Sequence, residues 1–230
     1  MLNTLLMLRA VIIGAPGCGK GTISNRICEH FNIKHISTGD ILRANIAQNT
    51  SLGIKAKEYM NKGLLVPDEL MIDLVKNEVE DLDCNYLLDG FPRTHEQALG
   101  LWRHHISPNC VIHVNVPKHV IVDRLSKRWI HAPSGRVYNL DFNAPKKHGH
   151  DDVTGEKLIQ RDDDKPEAIT KRLETFDETI KPLLEYYDNR EVLDTFSGNT
   201  TNEIWPRIYE HLNMRIPPLK RLEPTPKKRN

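Results

Sequence analysis

The chain has 230 residues, of which 39% are hydrophobic, and its 32 basic and 31 acidic side chains leave a formal charge of +1. That length supports one substantial core with small insertions, and the charge balance excludes a global field that would draw nucleic acid or an anionic membrane. Four cysteines with no CxxC pair exclude a spaced disulfide framework and a zinc–thiolate site, and they read as reduced thiols.

The opening MLNTLLML is apolar, but Arg9 interrupts it well short of the roughly 20 residues needed to span a bilayer. No membrane insertion is expected. No basic n-region marks a secretory signal, and the first acidic residue is Glu29, a weak hint of organelle import. From there short apolar runs alternate with longer segments of helical period, the pattern of an α/β fold with a parallel sheet. The first strand is expected over 9–13 and a helix over 21–30, with GAPGCGKGT between them.

The spacing Gly14-x4-Gly19-Lys20 fits a P-loop, whose bare backbone N–H groups and helix N-terminus cradle phosphate while the lysine reaches its terminal groups. One feature departs from the common pattern: Gly21 follows the lysine and Thr22 comes next, so magnesium would be held partly by water or by other residues. Cys18 lies inside the loop. Its presence there reads as incidental, with oxidation as the alternative, since reactivity needs a depressed pKa and exposure.

A second strand over 34–37 ends in STGD, and residues 37–66 carry two short helical patterns in place of one crossover helix. A helix over 67–82 leads to a third strand over 86–89, which ends in LLDGFPR. Asp89 stands where a strand-end carboxylate can position magnesium or its waters. A helix over 94–104, a strand over 110–116 and a helix over 117–128 follow. Residues 129–165 are rich in Gly, Pro, Asn, His and Asp and have little periodicity, which suggests a lid. A helix over 166–188 and a strand over 192–196 complete the rhythm, and several helices begin at or near proline. The final IPPLKRLEPTPKKRN reads as a solvated, disordered basic tail.

Arg43, Arg93, Arg124, Arg128, Arg161 and Arg172 flank the two insertions. Guanidinium forks match phosphate oxygens and stay charged at neutral pH. Together with the P-loop they suggest phosphoryl transfer between two nucleotides, a reaction that rests on alignment and charge neutralisation. A phosphate acceptor is already anionic, so no general base is needed, and a closing lid would exclude water as the rival acceptor. A P-loop phosphotransferase with a small non-nucleotide acceptor and a low-turnover nucleotide-binding protein acting through partners are the alternatives.

The segments GAPGCGKGT, ISTGDILR, GLLVPDEL, LLDGFPRTHEQA, VDRLSKRWIHAPSGRVYN and DDDKPEAITKRL resemble the adenylate kinase family in its long-lid form, over about residues 8–214. Within that family RWIHAPSGRVYNLDFNAPK and TFSGNTTNEIW are most similar to the branch of the mitochondrial matrix that uses GTP as donor. The resemblance implies a P-loop kinase with a five-stranded parallel sheet: a discontinuous core of 1–36, 67–126 and 165–214, a nucleoside-monophosphate-binding insertion at 37–66, a lid at 127–164 and the tail at 215–230. Its implied reaction gives ADP and GDP from GTP and AMP with Mg2+. ATP as donor and a cytoplasmic location are the alternatives, and a monomer is expected.

Carried onto this sequence, the resemblance places the donor cradle at Gly17, Cys18, Gly19, Lys20, Gly21 and Thr22. Arg124, Arg128, Tyr138 and the turn ending at Thr201 would complete the donor side. The AMP site would use Thr38, Arg43, the backbone of Leu64 to Val66, Arg93 and Gln97, with Arg161 and Arg172 shared between the two nucleotides. Lys20, Arg93, Arg128, Arg161 and Arg172 would be catalytic, and Asp89, Asp163 and Asp164 would organise magnesium waters and lid closure. Some relatives pin the lid with two pairs of zinc-binding cysteines. The matching positions here are His131 and Ser134, then Asp151 and Thr154, which are expected to hydrogen-bond without zinc; a mixed site aided by His148 or His150 is the alternative.

Overall fold

The computed structural model describes residues 7–141 and 143–222. Five strands form one parallel sheet: β1 (Arg9–Ile13), β2 (Lys34–Ser37), β3 (Tyr86–Asp89), β4 (Cys110–Asn115) and, counting past the lid, β7 (Leu193–Ser197), in the order β2-β3-β1-β4-β7. The register sets Ala10 opposite Leu87 on one side and Cys110 on the other. Helices cover both faces, which is why the central strands read as continuous apolar runs without polar alternation.

Alternate side chains of a strand point to opposite faces, so one sheet seeds two cores. Ala10, Ile12, Leu87 and Ile112 pack with α1 (Lys20–His30), α6 (Lys118–Ser126) and α8 (Thr201–Asn213). Val11, Ile13, Leu88 and Val111 pack with α4 (Asp68–Val79) and α5 (His95–Arg103). The 23-residue α7 (Pro166–Asp188) serves both, giving Ile169 and Leu173 to the first core and Leu183 and Tyr187 to the second. Complete burial of such aliphatic side chains contributes about 1.5–3 kcal/mol each.

The 37–66 insertion is a helix pair, α2 (Thr38–Ala47) and α3 (Ser51–Asn61), with Ser37 and Thr50 as N-caps that accept from Asp40 N–H and Gly53 N–H. The lid holds a two-stranded antiparallel hairpin, β5 (Arg128–Ile130) with β6 (Val137–Asn139), and ends in a 3-10 turn at Asp162–Asp164. Helix α6 therefore stops short of the expected residue 128, because Arg128, Trp129 and Ile130 pair with Asn139, Tyr138 and Val137. Among the described residues no helix is long and apolar enough to cross a membrane.

One expectation needs correction. The segment from 215 does not begin a solvated tail: Ile216 is buried, Pro218 bridges to Phe31, and Leu219 N–H donates to His30 O at 2.6 Å. Its apolar residues have a seam to fill between α1 and α8. Residues 223–230 of the expected tail, and the apolar opening 1–6, lie outside the described residues.

Helices α2 and α3 cross so closely that a Cβ on Gly53 would stand 2.1 Å from Asn45 O. Gly53→Ala must push them apart, at a cost of about 1–3 kcal/mol of the kind seen on overpacking. Amide hydrogen exchange in 38–61 is expected to speed up while the central sheet keeps its protection; unchanged exchange there would contradict this packing.

Candidate active site

The first strand delivers its chain directly into the phosphate loop. Gly17 (φ +81°) and Gly19 (φ +98°) adopt left-handed backbone that favours glycine, and added Cβ atoms would meet Leu125 Cγ at 2.7 Å and Thr201 Cγ2 at 2.5 Å. The loop is thus pressed against α6 and α8. No side chain caps α1 and no acidic residue occupies its first turn, so its leading N–H groups face outward beside the exposed Gly21 and Thr22. Such a terminus carries partial positive charge suited to an anion. Lys20 Nζ folds over the loop, donating to Gly14 O at 2.6 Å and Ala15 O at 3.0 Å. The Cys18 side chain is fully buried in the core, which leaves its backbone as the part able to face a ligand.

The neighbouring strand ends bring up a carboxylate. Asp89 is nearly buried, accepts from Ser24 Oγ at 3.1 Å and has His35 Nε2 3.4 Å away. Burial alone would raise its pKa, but His35, the Lys20 charge and Ser24 together hold it below the ordinary value. It is ionised at neutral pH. Thr38 lies behind it, fully buried, with its hydroxyl donating to Asp89 O at 3.3 Å. Sequence reasoning found Asp89 from its place at a strand end, but gave no sign of Ser24 or His35.

Around this floor the arginines converge. Arg43 pairs with Asp40 from the next turn of α2, and Arg93 Nε donates to Gly90 O at 2.7 Å. Arg93 keeps surface exposed to solvent, and the protein packed around it, then the charge of Arg172, shifts its pKa below the ordinary guanidinium value. Asp164 joins Arg128 from the lid strand to Arg172 from α7: Arg128 Nε donates to its Oδ2 at 2.7 Å and Arg172 Nη1 to its Oδ1 at 3.0 Å. Arg172 also meets Asp163 Oδ2 at 3.2 Å. Arg161 Nε is buried without a hydrogen-bond partner among the described residues. Burial, followed by Arg43 and Arg128, lowers its pKa to about 9. All these groups remain cationic at pH 7, so the cleft is a crowded positive site fitted to a polyanion.

Other expected residues are placed as follows. Gln97 is buried with its Oε1 accepting from Arg93 N–H at 2.7 Å and its Nε2 donating to Asp68 Oδ1 at 2.8 Å, so both amide ends are engaged by protein. Leu64 is partly exposed and Val66 buried at the end of the insertion, and Leu64 N–H is taken by Tyr59 O. Arg124 reaches Asn199 O in the turn before α8, beside Thr201. Tyr138 departs from expectation: it is buried, and its hydroxyl serves the lid interior instead of the cleft.

That interior is a hydrogen-bonded knot. His131 Nδ1 meets Ser134 Oγ at 2.7 Å, Thr154 Oγ1 donates to Asp151 Oδ2 at 3.0 Å, and Thr154 Oγ1 lies 3.3 Å from His131 Nε2. These are the four positions singled out from the sequence. Missing from that reading were Arg136, which clamps both oxygens of Asp151 at 2.8 and 2.7 Å, and Glu156 on His131 Nε2. Tyr138 Oη adds a bond to Asp151 Oδ1 at 2.9 Å. The Arg136 bonds, working against burial, hold the Asp151 carboxyl far below its ordinary range.

The family model for adenylate kinase matches residues 12–192, and the chain is 52% identical over 212 residues to the mitochondrial GTP:AMP phosphotransferase of Drosophila melanogaster, covering 91% of this chain and 97% of that one. The chain belongs to the adenylate kinase family. The five-stranded parallel sheet with its flanking helices agrees with that membership, and so does the activity of a nucleoside monophosphate kinase.

In this adenylate kinase family member, Lys20→Ala and Arg93→Ala each remove a cation from the cleft without opening the core. Turnover in phosphoryl transfer to AMP is expected to fall about 100-fold or more with the unfolding midpoint nearly unchanged; activity within a few-fold of the parent would remove that residue from the machinery. Side-chain hydrogen bonds join all four of the lid positions that match the zinc-binding pairs of some relatives. The purified enzyme is expected to contain no stoichiometric zinc and to keep its activity in a zinc chelator with excess magnesium, and loss of lid structure on chelation would refute this.

Proposed function

We propose that the protein transfers the terminal phosphoryl group of GTP, in preference to ATP, to AMP in the mitochondrial matrix. The observation that carries the two-nucleotide reading is the single cleft in which the phosphate loop, Arg93 at the end of the third strand and the arginines of the lid and α7 converge. The donor triphosphate lies on the amides of 17–22 with its base against the turn at 198–201. The AMP phosphate lies on Arg43 and Arg93. Arg161 has hydrogen-bonding capacity to spare, and Arg128 and Arg172 can exchange bonds with Asp164 for bonds to the transferring group.

Chemistry then follows from position. Charge on the phosphoryl group in flight is spread over its equatorial oxygens, and fixed guanidinium donors stabilise it without reorganisation. The acceptor oxygen needs no deprotonation, because a phosphate acceptor is already anionic near pH 7. Lid closure keeps water from the donor. A magnesium ion bound with the donor would supply further neutralisation of its β and γ phosphates.

The residues fit that ion through water. Among the described residues no group of three or more His, Cys, Asp or Glu side chains could hold a metal directly. Magnesium commonly retains several waters and takes its remaining ligands from one or two carboxylates and substrate phosphates. Asp89 is the fitting carboxylate, ionised and with one oxygen held by Ser24. Asp164 is engaged with arginines through both oxygens, so its role is to hold those cations.

The GTP preference and the matrix location draw their support from the mitochondrial GTP:AMP phosphotransferase that the chain resembles. Initial rates with AMP as acceptor and either GTP or ATP as donor, in the same buffer and magnesium, test the preference. We expect kcat/KM to favour GTP by about tenfold or more, equivalent to about 1.4 kcal/mol of differential transition-state binding. Equal or better use of ATP would overturn it and leave an ATP-using adenylate kinase.

A further inference from the structure

The segment 216–222 is packed where its composition suggests solvent, and its position relates to the active site. Helices α1 and α8 run from the donor side of the cleft to this segment. At their leading ends they touch: Gly19 leaves no room for a Cβ beside Thr201, and Arg26 Nη2 donates to Asn202 Oδ1 at 2.6 Å. The trailing end of α1 meets the middle of α8 in an aromatic cluster, with His30 and Trp205 rings 5.1 Å apart and Phe31 and Tyr209 rings 5.3 Å apart. The segment lies over that cluster. Leu219 N–H donates to His30 O at 2.6 Å, satisfying a carbonyl left open at the end of α1, while Lys220 O accepts from Tyr209 Oη of α8 at 3.2 Å. Ile216 and Leu222 join the core below, and Pro217 and Pro218 restrict the backbone that spans the seam.

We propose that residues 216–222 form a strap that fixes the position of α1 relative to α8 and thereby holds the phosphate loop and the Thr201 turn in the spacing the donor nucleotide requires. The strap binds one helix through its terminal carbonyl and the other through a tyrosine hydroxyl, so it resists relative sliding of the two. It is about 15 Å along α1 from Lys20, given 1.5 Å per residue, and touches no nucleotide. Its residues are positioning residues. Among the described residues no hydrogen bond joins the strap to the acceptor side, which is built on α2, α3 and the third strand, so its effect falls first on the donor. The inference rests on the assignment of the α1 and α8 N-termini to the donor.

Two variants separate positioning from mere stability. Leu219→Pro deletes the shorter of the two N–H bonds to His30 O, leaving that of Lys220 at 3.4 Å, at a residue that is 64% exposed, and Tyr209→Phe deletes the hydroxyl while keeping the ring. Steady-state kinetics with each nucleotide varied in turn, and equilibrium titration of the triphosphate without AMP, are the readouts. We expect donor KM and dissociation constant to rise about threefold or more in each variant, as for loss of one supporting hydrogen bond, with the AMP KM within about 1.5-fold of the parent. Unchanged donor binding in a folded Tyr209→Phe enzyme overturns the strap, and so does an equal rise in both KM values. The parent enzyme keeps the two failures distinct: if it transfers phosphate and binds the triphosphate, the donor assignment stands whatever the variants do. Should Leu219→Pro fail to fold, Tyr209→Phe decides alone by the same readouts.

Discussion

Positive charge crowded into one cleft is the constraint on which the remaining structure depends. Lys20, Arg43, Arg93, Arg128, Arg161 and Arg172 come from separate segments of the chain, and the carboxylates among them, Asp40, Asp89, Asp163 and Asp164, are too few to neutralise them. Like charges at close range repel by several kcal/mol at an effective dielectric near 20, with about 4 kcal/mol at 4 Å as a guide. The pKa values of Arg93 and Arg161 are lowered first by loss of hydration and then by these neighbouring cations. A sheet buried on both faces and a 23-residue helix that braces both cores supply the rigidity to hold such a cluster. Phosphates bound in the cleft would relieve the repulsion.

That arrangement explains why the two insertions surround the cleft. Each carries arginines on a small unit that holds itself together by local bonds: α2 packs on α3 through Gly53, and the lid is knotted around Asp151. The lid is tied to the core by Asp164, which shares its two oxygens between Arg128 of the first lid strand and Arg172 of α7. A carboxylate bridging two cations is an exchangeable connection. Phosphate oxygens can take over either arginine, so lid position responds to the charge in the cleft. Water, which brings no charge, offers no such exchange.

Much of this was legible in the sequence because the relevant signals were local. The three central strands are short apolar runs, all five lie within a residue or so of their expected limits, and the phosphate loop and DGFPR stand at strand ends as expected. The four lid positions were found through their spacing. What escaped depended on long-range packing: Ser24 and His35 reach Asp89 from other elements, and Arg136 and Glu156 complete the lid knot without a spacing of their own. Tyr138 was expected on the donor side because a sequence gives the position of an aromatic ring without its facing. The final prolines and lysines suggested solvent by composition, whereas Ile216 and Leu222 had a seam between two helices to fill.

The central claim is that donor and acceptor phosphates meet in one arginine-lined cleft of a single chain. A dinucleoside pentaphosphate, which joins a donor and an acceptor nucleoside through one phosphate chain, measures this directly by calorimetric titration combined with competition kinetics. The account predicts one molecule bound per chain, competition against both the triphosphate and AMP, and affinity well above that of either substrate, since one ligand collects both sets of contacts. Two molecules bound per chain, or competition against only one of the two substrates, would contradict it.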